Sequence, residues 1–234
     1  MLELFPGGFE EVEHPDGVEL AAYTDPGGEE QIRAAFGGVV AEQVPADWAE
    51  RWRRFHRPVR VGPLWLGPPW EEPDDGAVAV VIDPGRAFGT GGHATTRLCL
   101  ELLAGLEPRG SVLDVGCGSG VLAIAAGKLG FEPVVAIDRD EAAVEVARAN
   151  AAANGVQLVV VLGDAERDPV RAADLAVANI TLEAVEAVAP RLDVAWLITS
   201  GYLASERPAL PGFRHVTRRE QEGWAADLWA GPSE

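Results

Sequence analysis

Val112-Leu-Asp-Val-Gly-Cys-Gly-Ser-Gly-Val-Leu-Ala-Ile124 decides the fold of this 234-residue chain. Ser111–Val115 is a short, largely apolar run of the kind that forms a buried strand. Glycines then alternate at Gly116, Gly118 and Gly120, and a helix is expected over Gly120–Leu129. A strand that passes through such a turn into a helix lets a ligand approach the backbone closely, because glycine adopts positive φ with no Cβ in the way. By itself the turn suits a dinucleotide, a nucleoside, or only a tight connection.

Downstream the pattern alternates. Strand Pro133–Ile137, helix Glu141–Asn154, strands Gln157–Leu162 and Asp174–Ala178, helix Leu182–Leu192 and strand Val194–Thr199 follow in turn. Short apolar strands separated by helices predict a mostly parallel α/β sheet covered on both faces. The end differs, because Phe213–Arg219 and Trp224–Trp229 flank a tight Glu-Gly turn and read as a terminal antiparallel hairpin. Upstream lie helix Thr95–Leu106, the glycine-rich run from Asp83 to Thr96, and strand Ala77–Ile82.

Residues 58–76 mix proline, glycine and tryptophan and are expected to be a linker before a domain spanning 77–234. Residues 1–57 are expected to form a small α+β domain. It comprises a hairpin around Pro15-Asp16-Gly17, a helix over Glu29–Phe36, a strand over Val39–Val44 and a helix over Ala46–His56. That last helix puts Trp48, Trp52 and Phe55 on one face, as a packing surface.

Composition sets bounds. The chain is 47% hydrophobic and 24% charged, which excludes wholesale disorder. No stretch approaches a membrane span, the first 13 residues carry no Lys or Arg, and Cys99 and Cys117 are the only cysteines. A cytosolic protein with no membrane partner and no metal site is expected. The net charge of −18 disfavours direct contact with nucleic acid and attracts a basic protein or a small cation, although acidity can also serve solubility alone.

Three residues sharpen the glycine turn. Val121 stands where a dinucleotide fingerprint has its third Gly or Ala. Asp114 precedes the turn, where a carboxylate repels a pyrophosphate but can accept from an ammonium. Asp138 ends the next strand, placed for ribose hydroxyls. A cationic, phosphate-free nucleoside fits this set, and S-adenosylmethionine is such a ligand. Asp164, after the third strand, reads either as an adenine contact or as a capped turn. Asn179, at the fourth strand's carboxyl end, reads either as catalytic or as a helix N-cap, with Thr181 competing for the cap.

Asp83-Pro-Gly-Arg-Ala-Phe-Gly-Thr-Gly-Gly-His-Ala-Thr-Thr96, with the Asp114–Gly120 run, Ala178-Asn-Ile180, Ser200-Gly201 and Glu222-Gly-Trp224, resembles the ribosomal protein L-eleven (L11) methyltransferase family, PrmA. The resemblance runs from about Phe9 to Trp229. It implies a class I, Rossmann-like methyltransferase fold with a seven-stranded sheet, S-adenosylmethionine as donor, and N-methylation of lysines and the terminal amine of L11. It also implies cofactor contacts at Thr96, Gly116, Asp138 and Asn179, beside Gly118 in the turn, with a loop around Phe88–His93 closing over the site. Family members open with a further strand and helix before the equivalent of Gly7. The small substrate-recognition domain is therefore expected to be truncated or its start placed too late.

For mechanism, Asn179 is assigned to accept a hydrogen bond from the incoming amine, with Phe88 or Thr90 walling its channel. His93 is read as structural in preference to a proton acceptor, and Cys117 as a buried filler. Another protein lysine or a small amine as acceptor, or a catalytically silent cofactor-binding module, are the competing readings. A nicotinamide dehydrogenase fits least, because of Asp114 and Val121.

Overall fold

The structure is a computed structural model that describes residues 10–14, 17–21, 32–36, 57–83, 92–107 and 109–232. The chain divides into two compact units, Met1–Trp52 and Arg53–Glu234. In the smaller unit β1 (Glu10–His14) pairs antiparallel with β2 (Gly17–Ala21), His14 opposite Gly17, which is the hairpin expected of Pro-Asp-Gly. Residues 32–36 are helical (α1). The strand expected at Val39–Val44 and the aromatic face of Trp48, Trp52 and Phe55 lie outside the described residues.

The larger unit is built on a seven-stranded sheet. Its strands are β6 (Val112–Val115), β7 (Val134–Asp138), β8 (Leu158–Leu162), β9 (Ala173–Asn179), β10 (Val194–Leu203), β11 (Arg214–Gln221) and β12 (Trp224–Ala230). The spatial order is β11-β12-β10-β9-β6-β7-β8. The five strands from β6 to β10 run parallel, and β12 and β11 add antiparallel. The order reverses between β6 and β9, so the chain leaves these neighbours in opposite directions and opens a crevice past their carboxyl ends.

The central strands β6 and β9 are largely buried on both faces, as parallel strands between helical layers require. One face packs α2 (Ala94–Ala104), α3 (Val121–Leu129) and α4 (Glu141–Asn154); the other packs α5 (Leu182–Val188) and a 3₁₀ turn over Ala189–Arg191. Helix α4 illustrates how the sequence sets an element. Its alanines have the highest helix propensity, the Asp140 side chain caps the start by accepting from Ala142 N at 2.9 Å, and Gly155 ends it at φ 64°.

The run expected as a linker, 58–76, differs from that expectation. It contains β3 (Val59–Val61) and β4 (Leu64–Gly67), which form a three-stranded sheet with β5 (Val78–Val81). Prolines flank these strands and leave their ladder donors intact, and all four residues of β4 are buried. Asn154 joins this sheet to α4 by imitating a neighbouring strand: it accepts from Val81 N at 2.8 Å and donates to Val81 O at 2.6 Å.

Gly201, in β10, is required by close approach. Its φ is 99°, and a Cβ there would lie 2.0 Å from the carbonyl oxygen of Ile180. Gly201→Ala should lower stability by about 2 kcal/mol, from backbone strain and displacement of Ile180. Urea unfolding of the variant would test this, and an unchanged midpoint would show that the Ile180 carbonyl yields freely.

Candidate active site

The crevice at the strand reversal is a cavity of about 740 Å³. It is built on the glycine turn that leaves β6. Gly116, Gly118 and Gly120 all have positive φ, and a Cβ on Gly116 would meet the Ile180 side chain at 2.5 Å. The turn is held from several sides: Gly116 N donates to Ile137 O at 2.9 Å, and Asn150 of α4 donates through Nδ2 to Ser119 O at 2.9 Å. Asn150 and Asn154 are buried polar residues one helical turn apart on an alanine-rich helix. Buried amides four residues apart on such a helix signal structural duty.

Asp138, at the end of β7, lines the cavity. Its Oδ2 accepts from Gly118 N at 2.9 Å and its Oδ1 from Asp140 N at 3.0 Å. Each oxygen keeps a lone pair, so the carboxylate both fixes the turn and presents acceptors to a pair of hydroxyls. Asp164 also lines the cavity and makes the capped turn: Oδ1 accepts from Glu166 N at 3.0 Å while its own N–H donates to Asp168 Oδ2 at 2.8 Å. The two sequence readings of Asp164 are thus compatible.

Asp114 is 1% exposed and is not among the cavity-lining residues. Its Oδ2 accepts from Ala123 N of α3 at 3.0 Å, and its Oδ1 has no hydrogen-bond partner among the described residues. Burial raises its pKa from 3.8 to about 7; the Ala123 bond opposes that rise and the charge of Asp138 adds to it.

Asn179 closes β9 opposite Ser200 of β10 and lines the cavity. Its Nδ2 donates to Thr96 Oγ1 at 3.4 Å, and its Oδ1 accepts no hydrogen bond from the described residues. Thr181 is the N-cap of α5, accepting from Ala184 N at 3.4 Å, so the capping duty does not fall on Asn179. Thr96 is fully buried in the first turn of α2 and faces the same cavity. His93 caps α2, its Nδ1 accepting from Thr95 N, and its ring lies edge-on to Trp224 at 4.9 Å, as a structural histidine would. Burial pushes the Cys117 thiol well up, with Asp114 and Asp138 adding to the effect, so it is no ready nucleophile. Phe88 and Thr90 lie outside the described residues. No cluster of metal-binding side chains occurs among the described residues, and no described helix is long and apolar enough to cross a membrane.

Sequence reasoning left out Arg97 and the ion pair it makes with Glu222. The two are far apart in the chain, and only the return of the terminal hairpin to α2 brings them together.

Residues 21–228 match the family model described as ribosomal protein L11 methyltransferase (PrmA). The chain belongs to the ribosomal protein L11 methyltransferase family. It is similar to the L11 methyltransferase of Symbiobacterium thermophilum, 44% identical over 203 residues that cover 80% of this chain and 66% of that one. The Salmonella arizonae L11 methyltransferase is 42% identical over 185 residues, covering 75% and 63%. The chain thus spans just under two thirds of the length of these curated relatives. A crystal structure of ribosomal protein L11 methylase from Lactobacillus delbrueckii subsp. bulgaricus superposes with a TM-score of 0.68 at 29% identity, over 76% of this chain and 100% of that one. The Escherichia coli putative methyltransferase yhhF shares the fold alone, at 15% identity and a TM-score of 0.50. The strand order and terminal hairpin are those of the class I methyltransferase fold that the sequence resemblance to the L11 methyltransferase family implied.

If the cavity takes S-adenosylmethionine, as the family implies, Asp138→Ala should weaken its binding about 10-fold, or about 1.4 kcal/mol, through loss of two carboxylate acceptors and of the Gly118 tether. Calorimetry checks it; unchanged affinity would remove Asp138 from the donor site.

Proposed function

We propose that this chain is an S-adenosylmethionine-dependent N-methyltransferase acting on lysine side chains and the terminal amine of ribosomal protein L11. The observation that carries the reading is Asn179: it lines the cavity, and its Nδ2 is engaged by Thr96, which leaves Oδ1 as the amide atom that would accept from an amine. The cavity also fits the donor. Asp138, Asp140, Asp164, Glu166 and Glu183 line it beside Arg139, a set that disfavours a pyrophosphate and suits a cationic nucleoside. Asp138 would hold the ribose, Gly116 and Gly118 would let the donor lie against the backbone, and Asp164 would face the adenine.

The bound donor would supply an electrophilic methyl group on a sulfonium. The protein's part is to deliver an amine with its lone pair free and in line. A lysine with an ordinary pKa near 10.4 must lose its proton, at a cost of about 4 kcal/mol near pH 7.5. Desolvation in an apolar channel lowers that cost, since burial disfavours the ammonium. The Asn179 carbonyl then accepts one N–H and turns the lone pair toward the methyl. Transfer from a sulfonium to an amine would leave the net charge unchanged, so orienting the amine contributes more than field strength. Phe88 and Thr90 would wall the channel, residues 1–57 would recognise the acceptor, and the overall acidity would attract a basic ribosomal protein in the cytosol.

Intact-mass spectrometry of purified L11 incubated with this chain and S-adenosylmethionine tests the proposal. Mass gains in methyl steps are expected. No gain, with donor binding confirmed by calorimetry, would transfer the activity to another acceptor; absence of donor binding as well would sink the reading altogether.

A further inference from the structure

The turn between β11 and β12 carries a residue that its backbone disfavours. Gln221 and Trp224 are the last paired residues, leaving a two-residue turn at Glu222 and Gly223 with φ of 52° and 81°. Two positive φ values define the type I′ hairpin, whose first position suits Asn, Asp or Gly. Glu222 is the only non-glycine residue with positive φ among the described residues. A long side chain there works against the turn.

Its carboxylate explains the placement. Glu222 Oε1 lies 2.6 Å from Arg97 Nη2, and Arg97 also donates through Nη1 to Gly92 O at 2.8 Å and through Nε to Gln221 Oε1 at 3.4 Å. The side chains of Arg97 and Glu222 are 17% and 62% exposed. An ion pair that open to water adds little to stability, so its effect is directional. Next to it, Trp224 meets the ring of His93 edge-on. The turn also receives the end of β10, through Ala204 N donating to Gly223 O at 2.8 Å.

These contacts converge on the first turn of α2. Arg97 directly follows Thr96, whose hydroxyl accepts from Asn179. The hairpin turn stands past the carboxyl end of β10, on the side of the sheet where Asn179 ends β9. We infer that Glu222, through Arg97, is a positioning residue that sets Thr96 and Asn179 on the amine-receiving side of the cavity. The inference rests on the methyltransferase reading above, and it deepens that reading by adding the terminal hairpin to the reaction machinery.

The variant E222N separates orientation from folding, because Asn is a preferred residue at this turn position and removes the ionic reach together with the contact that Oε1 accepts from Gln221 Nε2 at 3.3 Å. Its melting temperature should equal or exceed that of the parent chain, and its donor affinity should stay within two-fold by calorimetry. Its kcat for methylation of L11 should fall about 10-fold. R97A should lower kcat by a similar factor, and the double variant E222N/R97A should be no slower than R97A alone, as expected for two residues acting through one contact. Hydrogen exchange of peptides covering residues 92–98, read by mass spectrometry, should quicken in E222N whether or not methylation is observed.

Parental kcat in E222N, or a loss of donor affinity and melting temperature that matches the loss of turnover, would overturn the inference. Unchanged exchange at residues 92–98 would also overturn it. If the parent binds donor but methylates nothing, the functional reading fails separately, and the exchange measurement alone decides whether Glu222 orders this turn of α2.

Discussion

Asn179→Ala should reduce methyl transfer by about 10²- to 10³-fold while donor affinity falls less than 10-fold. The expectation follows from what each end of the side chain does. Nδ2 is tied to Thr96, and in the proposed mechanism Oδ1 would accept from the incoming amine. Alanine removes both, so the amine would lose the acceptor proposed to turn its lone pair, and misorientation by about 1 Å is enough for a 100-fold loss. The donor keeps Asp138 and the glycine turn. Single-turnover kinetics beside calorimetry would measure the two effects separately. Equal losses in both would make Asn179 a donor-holding residue, and an unaltered rate would remove it from the reaction.

Asp114→Asn should flatten a pH dependence of stability that the parent chain carries. Below about pH 4 the carboxyl is protonated in both the folded and the unfolded chain and contributes no difference. As pH rises from 3.8 toward 7, the unfolded chain releases this proton while the buried carboxyl keeps it. The folded state therefore loses about 1.4 kcal/mol per pH unit from this group, on the order of 4 kcal/mol in all, and the loss levels off above about pH 7. The asparagine variant has no such proton. Its stability relative to the parent should rise by roughly that amount between pH 4 and pH 7.5, a change that urea unfolding at several pH values would show. Parallel curves would mean that Asp114 ionises as an ordinary exposed aspartate does.

The sheet was legible in the sequence because its strands are short, apolar on both faces and separated by helices, which leaves few alternatives to a parallel α/β arrangement. The terminal hairpin was legible from its Glu-Gly turn. Strands β3 and β4 were not, since prolines at positions 58, 63 and 68 surround strands of only three and four residues, and composition there resembles a connector. The places of Asp138 and Asn179 beside the crevice were readable because both close strands, and in such folds the crevice opens past the strand ends. The environment of Asp114 was not readable: nothing in Leu113-Asp-Val115 tells that one carboxylate oxygen meets Ala123 and that the side chain lies off the cavity wall. The Arg97–Glu222 pair was equally hidden, being a consequence of how the sheet returns to α2.

The place of β12 between β10 and β11 imposes an order on biosynthesis. Translation delivers β11 before β12, yet β11 meets the sheet only through β12. A growing chain therefore lacks the antiparallel partner of β10 until its final described strand emerges, and domains generally fold as units. Tyr202 then still lacks Asp227, to which it donates at 2.8 Å, and Ser200 lacks the carbonyl of Ala225. The turn that holds Arg97 is thus the last of these parts to be made, after Thr96, the glycine turn, Asp138 and Asn179 have all been synthesised.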